Sequence, residues 1–191
     1  MKKQVPILVI GDYSDKISTH VALNEAIAHA RPHIPFELGI HWVPTEKIDR
    51  DFLATTSANG YWIAPGSPYQ NDEGVYALIQ HCRENNVPMY GTCGGFQYMV
   101  VEYARHVLGF SDAHHEETVP DASRLVISKL SCSLKGQEET VTIRDRHSWL
   151  YRVLQTDHLT ARYYCSYGVK PGFSDHPESI PVRVHSLLRS G

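Results

Sequence analysis

Over its first 110 residues the chain alternates between stretches that are apolar throughout and stretches whose apolar positions recur every three or four residues. The run "VPILVIG" (5–11) is unbroken, as a parallel strand is when both of its faces are covered. "STHVALNEAIAHA" (18–30) predicts a helix, "FELGIHWV" (36–43) a second strand and "EKIDRDFLA" (46–54) a short helix. "GYWIAPG" (60–66) reads as a third strand closed by Pro-Gly, and the loop "SPYQND" (67–72) leads into a more regular helix. There Val75, Leu78, Ile79 and Cys82 fall at i, i+3, i+4 and i+7, behind a cap at Asn71 or Asp72. "VPMYG" (87–91) is a fourth strand, and the next helix sets Phe96, Val100, Tyr103 and Val107 on one stripe before Gly109 ends it. Such alternation predicts an α/β fold: an open, mostly parallel, doubly wound sheet with helices on both faces and ligand sites at the carboxyl ends of its strands. Beyond Gly109 the pattern weakens to shorter strands in "RLVISKL", "ETVTIR" and "ARYYCSYGV", with a helix in "DRHSWLYRVL".

A length of 191 residues suits one domain over 1–191. Eighteen Lys and Arg against 21 Asp and Glu give a net charge of −3, so no basic face advertises nucleic acid or an anionic membrane. A small neutral or anionic metabolite remains open as the ligand. Two lysines before the first apolar run imitate a secretion signal. That run stops at Ile10 without a small-residue cleavage site, and Asp12 and Asp15 follow at once, so a first strand is the reading. No stretch approaches the roughly 18 apolar residues of a membrane helix. Cys82, Cys93, Cys132 and Cys165 form no C-x-x-C pair, which disfavours zinc and thioredoxin-type chemistry and reads as free thiols in the cytoplasm. His114 and His115 tempt as a metal pair. Adjacent side chains diverge on a helix or a strand, so a solvated loop is expected there, with no metal and no other cofactor.

The chemistry concentrates in "GTCGGFQ" (91–97), directly after the fourth strand. A strand that turns into a helix through small residues raises its turn residue clear of the sheet in a strained conformation, the geometry of a nucleophile elbow. Gly91 and Gly95 leave room where strand and helix approach closely. The helix start offers unpaired N–H groups and partial positive charge, which lower a thiol's pKa and stabilise an oxyanion.

The segment "GTCGGFQYMVVEYARHVLG" resembles the cysteine elbow of the class I glutamine amidotransferase domain, in the branch that forms the C-terminal half of CTP synthase. "GDYSDKISTHVALNEAIAHA" resembles that domain's opening strand and helix, and "GYWIAPGSPYQNDEGVYALIQHCRENNVPMYGTCGGFQ" its central strand, oxyanion loop, helix and elbow. The likeness runs from about residue 5 to 117 and leaves no room for the synthetase half that binds UTP and ATP. It is therefore a likeness to stand-alone relatives related to the CTP synthase C-terminal region, whose fold is flavodoxin-like. The resemblance implies Cys93 as the nucleophile that forms a glutamyl thioester and releases ammonia. It implies an oxyanion hole from the N–H groups of Gly66 and Gly94, Gln97 lining the glutamine pocket, and Glu117 receiving the substrate's α-amino group. "DHPES" supplies the family's His-x-Glu, with His176 as general acid and base and Glu178 orienting it. An ammonia-accepting synthetase partner is implied as well.

Several positions depart from that family. Ser67 stands where a second glycine is usual, and only Arg162 remains of an arginine-rich stretch that holds the glutamine carboxylate. The chain is shortened between about 168 and 176, where the family has a further helix and hairpin. An exposed sheet edge there would favour association with a second copy. His115-Glu116-Glu117 is another His-x-Glu, whereas His147 and His158 lack a carboxylate two residues on. Three functions stand open: cysteine-dependent hydrolysis of glutamine or a related amide, a non-catalytic binding or regulatory module on the same fold, and a PfpI-like cysteine hydrolase or redox protein.

Overall fold

The computed structural model describes residues 3–131 and 136–173, and the chain divides between Ile127 and Ser128 into two compact units. The first begins with four parallel strands, β1 (Gln4–Ile10), β2 (Glu37–Val43), β3 (Gly60–Ile63) and β4 (Met89–Gly91), in the order β2-β1-β3-β4. β1 is thus central, and the chain runs to one side of it and then to the other. Val9 and Ile10, successive residues whose side chains leave opposite faces of the sheet, are both fully buried, so both faces are covered.

Four helices follow the strands: α1 (Ser18–Ala30), α2 (Arg50–Thr55), α3 (Asp72–Glu84) and α4 (Gly94–His106). α1 seats Leu23 and Ile27 on Val9 and Ala64, with Ile40, Trp42 and Trp62 around them. α3 buries Val75, Leu78, Ile79 and Cys82 as its spacing predicts, and Asn71 caps it by accepting from the Gly74 amide at 2.9 Å. α4 departs from its expected stripe. Val107 is exposed and Phe96 only half-buried, whereas Gln97, Tyr98, Val101 and Glu102 are buried. The helix packs on α3, β3, β4 and the strand that follows it, so one apolar face is too few. Its buried polar side chains are paired: Glu102 accepts from both Nε and Nη2 of Arg83 on α3 and lies 3.1 Å from His106.

Two more strands, β5 (Ala113–His115) and β6 (Arg124–Lys129), pair in parallel with a register shift between His114 and His115. β5 overturns the solvated loop expected at His114 and His115. A three-residue strand leaves no periodic trace in sequence, and its second histidine is fully buried. In the second unit β7 (Glu138–Thr142) and β8 (His158–Arg162) pair antiparallel around α5 (Trp149–Leu154), which Ser148 caps. The expected strand "ARYYCSYGV" is divided, since β8 ends at Arg162 and β9 (Tyr167–Val169) begins afresh. The expected shortening near 168–176 runs past the end of the described residues.

Candidate active site

β4 carries the chain to the elbow. After Gly91, the Thr92 amide donates to the Ile63 carbonyl (3.2 Å) and its hydroxyl accepts from the Trp62 indole (3.0 Å). Cys93 then turns the chain into α4 at φ 51°, ψ −115°, a region in which a residue other than glycine is strained. Close approach explains the neighbouring glycines. A β-carbon on Gly95 would fall on the Ile63 carbonyl, and one on Gly91 would lie 2.7 Å from the Gly95 carbonyl carbon. Both obstacles are backbone, so no change of rotamer relieves the overlap.

The loop after β3 faces this turn. Gly66 has φ +99°, and a β-carbon there would lie 2.9 Å from Nε2 of His20. Ser67 touches the first residue of α4, since a β-carbon on Gly94 would come within 3.0 Å of the Ser67 amide nitrogen. Asp12, just beyond β1, ties neighbouring loops together by accepting from the Thr45 amide and hydroxyl and from the Gln70 amide. These loops lie at the carboxyl ends of β1, β2 and β3, where chain order reverses about β1 and where such sheets bind ligands.

A chain of hydrogen bonds then joins helix, strand and loop. Oε1 of Gln97 accepts from Nε2 of His115 (2.9 Å), and Nδ1 of His115 accepts from the Glu117 amide (3.0 Å). Oε2 of Glu117 accepts from the Ser67 hydroxyl (2.9 Å), and Ser67 in turn lies close against Gly94. An amide can only donate, so Nδ1 is unprotonated and the imidazole is the neutral Nε2–H tautomer. Burial lowers its pKa from 6.5 to about 4, against a smaller opposing pull from Glu116.

Cys93, Gly66, Gly94, Gln97 and Glu117 are thus drawn together within the first unit. His176 and Glu178 lie outside the described residues, as does Cys132. Cys82 is fully buried in α3, where burial pushes its thiol up to about 12, while Cys93 is only half-buried. The His114 and His115 side chains do diverge: His114 accepts from Arg105 at 3.1 Å, while His115 turns to Gln97. Among the described residues no three His, Cys, Asp or Glu are grouped to hold a metal ion, and no helix is long and apolar enough to cross a membrane. His147 and His158 are exposed in the second unit, and Arg162 there pairs with Glu138 at 3.0 Å. Sequence reasoning missed His20 and the strut formed by His115. A signal existed for His20, which with Leu23 and Ile27 occupies i, i+3 and i+7 on the buried stripe of α1.

The glutamine amidotransferase class-I family matches this chain over residues 17–182. The chain belongs to that family. It is 29% identical to the CTP synthase of Sulfolobus acidocaldarius over 200 aligned positions, covering 99% of this chain and 38% of the relative. With the CTP synthase of Caldivirga maquilingensis it shares 36% identity over 126 residues, covering 65% of this chain and 23% of the relative. The chain therefore spans between about a quarter and two fifths of the length of the curated relatives it matches. Its fold matches the Trypanosoma brucei CTPS glutaminase domain, a structure with bound acivicin, at a TM-score of 0.73 and 24% identity, covering 86% of this chain and 68% of that one. The expected α/β fold, a mostly parallel sheet with helices, is the fold observed.

Proposed function

We propose that this amidotransferase chain hydrolyses glutamine, or a closely related amide, through a thioester on Cys93. The strained elbow carries the proposal: Cys93 at φ 51° heads α4 and stands beside the Gly66–Ser67 loop. Its thiolate attacks the side-chain amide carbon, and the N–H groups of Gly66 and Gly94 receive the negative charge that develops on oxygen. Collapse of the tetrahedral intermediate expels ammonia, and water then cleaves the thioester to give glutamate. His176, oriented by Glu178, supplies the proton to the departing ammonia and activates the water. Gln97 lines the pocket and Glu117 takes the α-amino group. Ammonia passes to a synthetase partner, as the likeness to CTP synthases implies, and the work is cytoplasmic.

Intact mass after incubation with the electrophile 6-diazo-5-oxo-norleucine tests the proposal. Single labelling that excess glutamine blocks and that Cys93→Ala abolishes is the expected result. A Cys93 that reacts with iodoacetamide but ignores the glutamine analogue would overturn it and leave a binding module.

A further inference from the structure

The peptide between Pro65 and Gly66 has two polar ends on opposite sides. In a trans peptide the carbonyl of one residue points away from the N–H of the next, so whatever fixes Pro65 O also fixes the direction of the Gly66 N–H. One side chain does this. His20 lies on the inner stripe of α1, 1% exposed, and its Nε2–H donates to the Pro65 carbonyl at 2.8 Å. The direction of that bond is set from behind: Nδ1 accepts from the Ser14 amide at 3.1 Å, which puts the imidazole's single proton on Nε2. The ring is also held in place, 5.0 Å from Trp42 and 5.9 Å from Tyr13 between centroids. Gly66 rests directly on it, since even a β-carbon would come within 2.9 Å of Nε2.

We infer that His20 is a positioning residue for the reaction: by holding the Pro65 carbonyl it aims the Gly66 N–H at the oxygen of the substrate carbonyl. The inference rests on the reading of Gly66 as an oxyanion donor. A hydrogen bond to the carbonyl also polarises the shared amide, which strengthens the N–H as a donor. His20 touches no substrate and moves no proton. Its effect falls on the charge that develops in the transition state, so it acts on kcat rather than KM.

The test compares His20→Gln, whose terminal amide N–H replaces Nε2–H, with His20→Met, which has the same length and no donor. His20→Leu serves as a second variant without a donor. Steady-state rates are measured for glutamine and for p-nitrophenyl acetate, an ester that needs the oxyanion site but no glutamine pocket. Alkylation of Cys93 by iodoacetamide, a displacement at carbon that builds no oxyanion, is followed in parallel. Expected are a fall in kcat of about 10- to 100-fold in the Met variant, KM and alkylation within about twofold of wild type, and recovery to within about threefold in the Gln variant. Equal kcat in wild type and both donorless variants overturns the inference. So does a Gln variant as slow as Met, or a loss shared by kcat, KM and alkylation, because each marks packing alone. A wild type that uses Cys93 on the ester but ignores glutamine defeats the glutaminase reading only, and the ester rates then decide about His20. A wild type inert to both overturns both.

Discussion

His115 joins the elbow helix to the Glu117 loop through both ring nitrogens, and it can do so only while neutral. Protonation would place a second N–H against the Glu117 amide, which itself donates to Nδ1. Its pKa, about 4 in the folded chain against 6.5 unperturbed, means that between those values the unfolded chain binds the proton and the folded one does not. Stability therefore rises with pH across that window: the contribution is present above about pH 6.5 and is lost as pH falls toward 4. The full loss by pH 4 is roughly 3 kcal/mol. Urea unfolding at pH 7 and pH 4 is expected to show that extra loss in wild type relative to His115→Gln, whose side chain does not titrate. Parallel pH curves for the two proteins would sink the assignment. Little of this was legible in sequence. Two adjacent histidines in a polar stretch read as a solvated loop, whereas β5 pairs with β6 and packs on α4, and the second histidine is buried. The strained turn at Cys93 was legible, because a cysteine among glycines at a strand's end needs a special backbone, and φ 51° is such a backbone.

Whether an element can be read from sequence depended on how many sides of it are covered. α3 has one buried stripe, and the spacing of Val75, Leu78, Ile79 and Cys82 gave it directly. α4 is covered on several sides, so its buried positions include Gln97 and Glu102, which an apolar pattern cannot reveal. Their partners, His115 and Arg83, are distant in sequence and come within reach only in the folded chain. The close seating of α4 on β3 has a sharp consequence. Gly95→Ala drives a methyl group into the Ile63 carbonyl, and the helix must lift or the strand must shift. A cost of about 2–3 kcal/mol is expected, the upper part of the range for overpacking, together with loss of glutamine-analogue labelling at Cys93, since the elbow moves with the helix. An alanine variant with wild-type urea midpoint and labelling would show that the seating is looser than the geometry requires.

Over the whole molecule, the elbow, the loop opposite it and the Gln97–His115–Glu117–Ser67 chain of hydrogen bonds all lie before Ile127, in the first compact unit. The proposed base, His176, belongs to the chain beyond the described residues, though within the 17–182 span that matches the family. A thiolate at an elbow can be alkylated without a base, but turnover needs one, because ammonia must leave protonated and water must be activated. Alkylation and turnover should therefore separate on substitution. His176→Ala is expected to lower kcat for glutamine by about 10²–10⁴, while iodoacetamide labelling of Cys93 and the thermal transition change little. Glu178→Gln should have a smaller effect in the same direction, as befits a residue that only orients the ring. His147→Ala and His158→Ala, at exposed positions in the second unit, serve as controls and are expected to leave kcat within about twofold. If His176→Ala keeps wild-type kcat while one of the controls loses it, the base has been assigned to the wrong histidine. If none of the three matters while Cys93→Ala is dead, the base is not a histidine of this C-terminal region, and His-x-Glu at 176–178 is a likeness of sequence alone.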